Sequence, residues 1–268
     1  MKLYAYFLSW LLLSLITSCK QDESVDPLAN CRLTGWDYTP NGRHRFEYDV
    51  AGNVTRMTRA FEEGVPFLFD YKLTYDAAGR LSRSEYKNTI DGQVTEGTET
   101  YTWTGNRITR LDYQTKAGEK GFNQIKYSPS GQMLEFTYEG NADPDQNAKK
   151  VFEYDAKGIL VKLSFANLAG DVFFQRRLLY SGNVIKTAWS LLPNAGVPID
   201  VVIGQDWEPL FPDNNANAAF EFYEADPDGK LALYETSKLS NIKTNAQGVM
   251  VGWTDPGTTT TFSVVGCP

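Results

Sequence analysis

FEYDVAGNV, residues Phe46 to Val54, decides the fold of this chain, because close variants of the phrase recur along it. The variants are LTYDAAGRL at 73–81, IKYSPSGQM at 125–133 and FEYDAKGIL at 152–160. The glycines that hold the same place in the pattern are 24 to 27 residues apart: Gly52, Gly79, Gly105, Gly131, Gly158 and Gly182. A fixed period of this size indicates one supersecondary unit copied along the chain.

Each copy predicts a β-hairpin. An apolar and an aromatic residue stand two apart before the turn, as Phe46 and Tyr48 do, so both lie on one face of a strand. The Asp that often follows suits the first position of a type I turn, and the Gly three residues later can adopt positive φ without strain. Gly118, in a polar loop outside this pattern, is expected to matter less for stability than Gly79.

The repeats predict one all-β domain over residues 31–268. We expect an antiparallel up-and-down meander of about 14 to 18 strands, closed or nearly closed into a soluble barrel, because closure removes exposed sheet edges. A segment of a spiral β shell is the alternative. By the period of two, Arg56 and Arg83 share a face with Val54 and Leu81, and charges there would break a lipid-facing band. The soluble form is therefore favoured.

The one departure from the repeats is an insertion at about residues 188–220, with four prolines and the apolar run PIDVVIG. We predict that it packs over or into one end of the barrel and that Trp207 is mostly buried. Trp189 and Trp207 are the candidate ligand-binding residues, because exposed aromatic rings can stack on sugars or anchor a partner protein. The alternative is that both rings anchor the insertion in the core.

Residues 1–18 predict a signal peptide, since Lys2 precedes an apolar stretch that is too short to span a bilayer. Ile16 to Cys19 resembles the lipobox of bacterial lipoproteins, which implies lipid attachment at Cys19 and a tether over 19–30. The tract Lys20 to Glu23 is similar to tracts that direct lipoproteins to the outer face of the outer membrane. We expect a lipid-anchored protein of the outer membrane, at the cell surface or otherwise on the periplasmic face.

Lipidation would leave two cysteines, Cys31 and Cys267, at the two ends of the folded part. An even pair in an exported chain favours a disulfide, which would join the first strand to the last. Two separate buried thiols are the alternative.

The composition excludes several kinds of site. A net charge of −7 disfavours nucleic acid as a partner. His44 is the single histidine, so a site with two histidine ligands is excluded, and a calcium loop starting at Asp143 has Ala148 where glycine is needed. We expect no metal, no cofactor and no enzymatic activity. A hydrolase using Asp206 and Glu208 is the weakest of the functional hypotheses.

The hairpin phrase resembles YD repeats, with Tyr75 to Leu81 as a close match. In Rhs-type toxins such repeats form a large hollow β shell. Together with the lipobox, the short acidic tether and the chain length, the repeats resemble a family of bacterial lipoproteins of unknown function with a porin-like fold. That resemblance implies no catalytic residues. Location and the aromatic insertion favour a surface binding module for a glycan, a peptide or an envelope protein, and a purely structural envelope lipoprotein is the alternative.

Overall fold

The computed structural model describes residues 30–38, 42–61, 66–139, 147–180, 186–192, 217–255 and 257–267, with the backbone alone at 186, 187, 189, 190, 217, 218 and 255. Within these residues the chain forms one sheet of eighteen strands and a short 3₁₀ helix, Ala188–Leu191. The strands are β1 (Arg32–Tyr38), β2 (Gly42–Tyr48), β3 (Val54–Phe61), β4 (Phe67–Tyr75), β5 (Leu81–Ile90), β6 (Gln93–Thr104), β7 (Arg107–Thr115), β8 (Lys120–Tyr127), β9 (Met133–Glu139), β10 (Ala148–Tyr154), β11 (Leu160–Asn167), β12 (Val172–Tyr180), β13 (Lys186–Thr187), β14 (Asn217–Ala225), β15 (Leu231–Lys238), β16 (Ser240–Thr244), β17 (Val249–Asp255) and β18 (Thr258–Val265).

The sheet curls into a nearly closed barrel. β1 to β12 pair with their chain neighbours in antiparallel register, and β1 also pairs with β18, for example Trp36 with Phe262. β12 then pairs with β14, and the two-residue β13 pairs in parallel with β17. The predicted meander barrel is confirmed, and the spiral alternative is wrong because the first strand returns to the last.

The seam of the barrel lies along residues 231–244. β15 is in register with β14, and β16 is in register with β17. Leu239 alone separates β15 from β16, which is too short a connection for the two to pair with each other. One nearly continuous stretch therefore changes neighbours at Leu239: among the described strands, β15 pairs only with β14 and β16 pairs only with β17.

Antiparallel order defines two ends of the barrel. The repeat-turn end carries the turns 49–53, 76–80, 128–132, 155–159 and 245–249, and the far end carries the turns 115–119, 167–171 and 226–230. The turn Asp226 to Gly229 has the sequence of a repeat turn but lies at the far end. The reason is that β14, which precedes it, runs from the repeat-turn end to the far end.

The turns at both ends share one hydrogen-bond pattern. The Gly79 N–H donates to the Asp76 carbonyl at 2.9 Å, and Asp76 Oδ1 accepts from the N–H groups of Ala78 and Arg80 at 2.9 and 2.8 Å. Gly79 has φ +74° and Gly118 has φ +96°. The premise that Gly118 lies in a loop unlike the turn of Gly79 is therefore wrong, since Gly118 closes the same kind of turn with Thr115 in place of Asp. Similar costs of substitution at the two glycines are expected instead.

A β-bulge follows each of several repeat turns. Tyr48 pairs with Val54 but Glu47 pairs with Arg56, so Thr55 is the extra residue. The bulge reverses the alternation, and Arg56 lies on the outer face while Val54 is fully buried. The predicted shared face of Val54 and Arg56 is thus wrong. Arg56 instead pairs with Asp70 on the outside of β4, with two hydrogen bonds of 2.8 Å.

An aromatic ladder ties consecutive repeats together at the repeat-turn end. The Tyr75 hydroxyl donates to the carbonyl of Val54 at 2.8 Å, one repeat earlier in the chain. The same contact recurs in six places, Tyr48 to Leu33, Tyr75 to Val54, Trp103 to Leu81, Tyr127 to Ile108, Tyr154 to Met133 and Tyr180 to Leu160. The aromatic position of the repeat is thus both a partly buried packing position and a hydrogen-bond donor to the neighbouring repeat.

Candidate binding surfaces

Most of the predicted site residues lie outside the part of the chain that the structure describes. Cys19 and Trp207 fall outside it altogether, and Trp189 lies in the 3₁₀ helix with only its backbone described. Lipid attachment at Cys19 and ligand binding by the two tryptophans therefore remain predictions.

The start of the insertion is described, and it belongs to the core. Ala188 is fully buried, and Leu191 and Leu192 are buried with it in the main hydrophobic cluster. Next to them, β13 pairs with β17 at Val249 and Met250, which are also buried. Residues 181–185, which follow β12, are outside the described part of the chain, and the description resumes at β13 beside β17 at the repeat-turn end.

The predicted disulfide is present. Cys31 and Cys267 are bonded, and their Cα atoms are 4.6 Å apart. The bond links the residue before β1 to the chain just after β18, where these two strands pair. It therefore fastens the first and last strands of the barrel at the repeat-turn end.

The inward face changes character with distance from the repeat turns. The two inward positions nearest the turn are apolar or aromatic, as at Phe46 and Leu73, which are buried. The third inward position, counted back from the turn, is polar or charged in most repeats: His44, Tyr71, Glu99, Asn123, Lys150 and Arg176. We call these six residues the polar layer. It separates an apolar core at the repeat-turn end from the far half of the barrel.

Cations of the polar layer lie against aromatic rings. Lys150 Nζ is 5.2 Å from the ring centre of Tyr138 and 5.1 Å from that of Phe165, while Arg176 Cζ is 4.0 Å from the ring centre of Phe220. A cation over the face of a ring is attracted to its negative quadrupole, and the attraction strengthens away from water. These contacts help to accommodate two charged side chains inside a β-barrel.

Glu99 supplies the acidic group of the polar layer. Its Oε2 accepts hydrogen bonds from Ser84 Oγ at 2.8 Å and from the Tyr101 hydroxyl at 2.5 Å. Burial raises the pKa of Glu99 to about 7, although the two hydrogen bonds favour the ionised form. The carboxyl can thus gain or lose a proton near neutral pH. Neither of its hydrogen-bond partners, Ser84 and Tyr101, is a carboxylate.

The surroundings of His44 indicate a role in packing. Its ring stacks on Trp36 with the ring centres 4.0 Å apart, and only 1% of the residue is exposed. Burial, followed by the positive charges of Arg59 and Arg45, holds the pKa of His44 well below its usual value. A neutral, enclosed imidazole packed on indole agrees with its place in the repeat register.

A groove of about 530 Å³ lies across the outside of β4, β5, β6 and β7. Period-two alternation brings the outward side chains of these strands into rows, in which Asp70 is opposite Lys87 and Lys87 is opposite Glu96. The volume falls within the range of ordinary ligand sites, but the lining is polar where such sites are usually apolar. We call it the β4–β7 groove.

The β4–β7 groove carries more positive than negative side chains. Lys72, Arg83, Lys87 and Lys116 face Asp70, Glu85 and Glu96 in its lining. Glu96 contacts both Lys116 and Lys87, and Asp70 is bound from outside the groove by Arg56. Lys116 keeps 76% of its side chain exposed, and Lys87 keeps 58%. The groove is thus a weakly cationic patch on an acidic chain.

The described residues contain neither a metal-binding cluster nor a membrane-spanning helix. No group of three or more His, Cys, Asp and Glu side chains in them is arranged to hold a metal ion. No helix in the same part of the chain is long and apolar enough to cross a membrane.

Sequence reasoning did not find the β4–β7 groove or the polar layer. The groove depends on cross-strand partners such as Lys87 and Glu96, which only the hairpin register brings together. A signal for the polar layer was present, because Glu99, Lys150 and Arg176 each stand four residues before the aromatic position of their repeat. Counting inward positions back from each turn would have exposed it.

Comparisons with known proteins give distant similarities. No protein-family model matches the chain. A stretch of 127 residues, 47% of this chain, is 31% identical to the tRNA3(Ser)-specific nuclease WapA of Bacillus spizizenii, and it covers only 4% of that protein. The chain therefore spans a small fraction of the curated relative that it matches.

Among solved structures, the chain is similar to two porin-like proteins. The one from Bacteroides uniformis has a TM-score of 0.39 and 13% identity and covers 78% of this chain and 95% of that one. The one from Bacteroides vulgatus has a TM-score of 0.40 and 11% identity, with coverage of 87% and 98%. A third structure, the Photorhabdus luminescens Tc holotoxin pore, has a TM-score of 0.27 and 13% identity and covers 80% of this chain and 12% of that one. Membership of the lipoproteins and of the YD-repeat proteins stays a prediction.

Proposed function

We propose that this protein is a lipid-anchored envelope lipoprotein built of YD-type repeats, and that it binds an acidic glycan in the β4–β7 groove. The observation that carries the proposal is the cationic excess of a groove of about 530 Å³ on a chain of net charge −7. The ammonium groups of Lys72, Lys87 and Lys116 each have three donors, and those of Lys87 and Lys116 that are not used by Glu96 can bind carboxylate and hydroxyl oxygens of a saccharide.

The charge arrangement favours a polar ligand over an apolar one. Groove carboxylates such as Glu96 can accept hydrogen bonds from sugar hydroxyls, while the lysines next to them offset an acidic group on the ligand. A neutral sugar would gain only the first of these interactions. We therefore expect the protein to prefer acidic over neutral glycans.

The purely structural role is the second candidate. It is supported by the aromatic ladder and by the disulfide, which stiffen the barrel without forming a binding site. A protein with that role would bind neither class of glycan.

Isothermal titration calorimetry with oligogalacturonate and with a maltooligosaccharide of equal length tests the proposal. We expect oligogalacturonate to bind at least tenfold more tightly, with affinity that falls as salt is raised because exposed charges are screened. The double variant Lys72→Ala/Lys116→Ala should lower that affinity about tenfold, which corresponds to about 1.4 kcal/mol.

Lys126→Ala is the matched control. Lys126 is an exposed lysine paired with Glu135 on β8 and β9, away from the β4–β7 groove. An equal loss of affinity in Lys126→Ala, or equal binding of the acidic and neutral sugars, would contradict the proposal.

Lipid anchoring has its own test. Cys19→Ser should move the protein from the membrane fraction to the soluble fraction without changing the unfolding transition of the barrel, because position 19 precedes β1. If that variant still fractionates with membranes, the proposed anchor is wrong.

A further inference from the structure

Among the described strands, β15 has a hydrogen-bonding neighbour on one side only. β15 is in register with β14 on one side, as in the pair Phe220 and Ser237. On its other side no strand of the described residues is in register with it. β17 ends at the level of Ser240, which pairs with Thr254, so β15 extends beyond the tip of the β17–β18 hairpin.

The free edge is long and exposed. Its eight residues span roughly 25 Å at the rise of an extended strand. Leu233 is 55% exposed and Tyr234 is 70% exposed, and a bulge opposite Phe222 leaves Tyr234 without a partner in β14. Proteins usually protect such edges with proline, charged side chains, a β-bulge or a covering segment. β15 has the bulge at Tyr234 and the charges of Glu235 and Lys238, and it contains no proline.

The hairpin that carries this edge is acidic. β14, its turn and β15 contain the five carboxylates of Glu221, Glu224, Asp226, Asp228 and Glu235 but only two lysines, Lys230 and Lys238. A strand that pairs along the edge would meet this charge at close range. Basic side chains on the incoming strand are therefore favoured and acidic ones are disfavoured.

We propose that β15 is a docking edge for an extended basic segment of a partner protein, which adds to the sheet as a strand. Backbone hydrogen bonds along β15 would supply the affinity, as in other cases of strand addition. Apolar side chains on the added strand would cover Leu233 and Tyr234, and its lysines or arginines would face the acidic hairpin. This interaction is independent of the β4–β7 groove, because six strands, β8 to β12 and β14, lie between β7 and β15 in the sheet.

The test uses the full mature chain and a fluorescent eight-residue peptide of alternating valine and lysine. Binding is measured by anisotropy, and the binding position by hydrogen exchange of the backbone amides. We expect saturable binding that slows the exchange of amides between 231 and 238. A valine and glutamate peptide should bind at least tenfold more weakly, and a peptide N-methylated at every residue should not bind.

The variant Leu233→Lys/Tyr234→Lys separates the edge from the rest of the surface. Both side chains are exposed, so the fold should be retained, and the added charge should weaken peptide binding at least tenfold. Leu179→Lys is the control, since Leu179 is 43% exposed on β12, a strand that is paired on both sides. Binding without slowed exchange in β15, or equal loss in both variants, would overturn the proposal. A dimer of the free protein that disappears in the double variant would also overturn it, because the occupant would then be a second copy.

Discussion

The two ends of the barrel use the same turns but differ in what lies beneath them. At the repeat-turn end, the aromatic ladder and the Cys31–Cys267 disulfide join neighbouring strands above an apolar core. Toward the far end, the inward face passes through the polar layer, and β15 leaves the wall with a free edge. The same kind of turn therefore fixes the hairpin geometry at both ends. The side chains at the first three inward positions, counted back from each turn, decide how stable each end is and how open it is to water.

The largest difference between the ends is expected from the disulfide. Its sequence separation of 236 residues restrains most of the unfolded chain, and removal of such a bond costs about 2 to 5 kcal/mol. The variant Cys31→Ser/Cys267→Ser should lose that amount in urea unfolding. Hydrogen exchange should rise most at the pairing of β1 with β18, since this bond fastens those strands. A variant with unchanged stability would show that the repeat-turn end does not depend on its covalent link.

The matched turn glycines test whether turn chemistry is the same at both ends. Gly79 and Gly118 both have positive φ, and a Cβ at either position would meet no atom within 4 Å. Only backbone strain then separates glycine from valine, so Gly79→Val and Gly118→Val should each cost about 1 to 3 kcal/mol. Thermal or urea unfolding of the two variants measures this. A clearly smaller effect at Gly118 would restore the distinction that the sequence pattern suggested.

The aromatic ladder is expected to contribute less per contact. Tyr75→Phe keeps the ring but removes the hydroxyl that donates to Val54, which should cost about 0.5 to 1.5 kcal/mol in urea unfolding. Tyr86→Phe is the control, because no hydrogen bond of the Tyr86 hydroxyl is found in the described part of the chain. Equal losses in the two variants would mean that the ring, and not its hydroxyl, links the repeats.

The same contact predicts an alkaline effect. Burial is the main reason that the pKa of Tyr75 is raised to about 12 from an ordinary value of 10. The folded form therefore holds its proton more strongly than the unfolded form, and stability should fall as pH rises from 10 to about 12. Tyr75→Phe should lose less stability over this interval than the natural chain.

The fold could be predicted to a large extent because its information is local. The spacing from Tyr75 to Gly79 and Leu81 contains the strand face, the turn and the start of the return strand. Ring closure was also within reach, since Cys31 and Cys267 stand at the two ends of the domain. The bulge at Thr55 was missed, although the buried residues Val54 and Met57 stand three positions apart instead of two, which is the spacing that one extra residue produces.

The candidate sites could not be predicted for a related reason. The β4–β7 groove and the free edge of β15 depend on which strands become neighbours and where each one ends. The pair of Lys87 with Glu96 and the change of neighbour at Leu239 are long-range properties of the closed sheet. The tryptophans of the insertion, which the sequence did indicate, lie where the structure describes no side chain.

The last expected effect belongs to Glu99 in the polar layer, and it is visible only as a dependence on pH. Burial raises the pKa of this carboxyl from 4.5 to about 7, so the folded form binds its proton more strongly than the unfolded form. Stability from this group is complete below pH 4.5 and is lost as pH rises to about 7. Glu99→Gln keeps an acceptor for Ser84 and Tyr101 but cannot ionise. In urea unfolding at a series of pH values, the natural chain should lose stability relative to Glu99→Gln across this interval and run parallel to it above. Acidic groups with lowered pKa, such as Asp76, act in the opposite direction in both proteins and cancel in the difference. Parallel curves throughout would show that the fold does not raise the pKa of Glu99, and that its carboxyl is as accessible to water as in the unfolded chain.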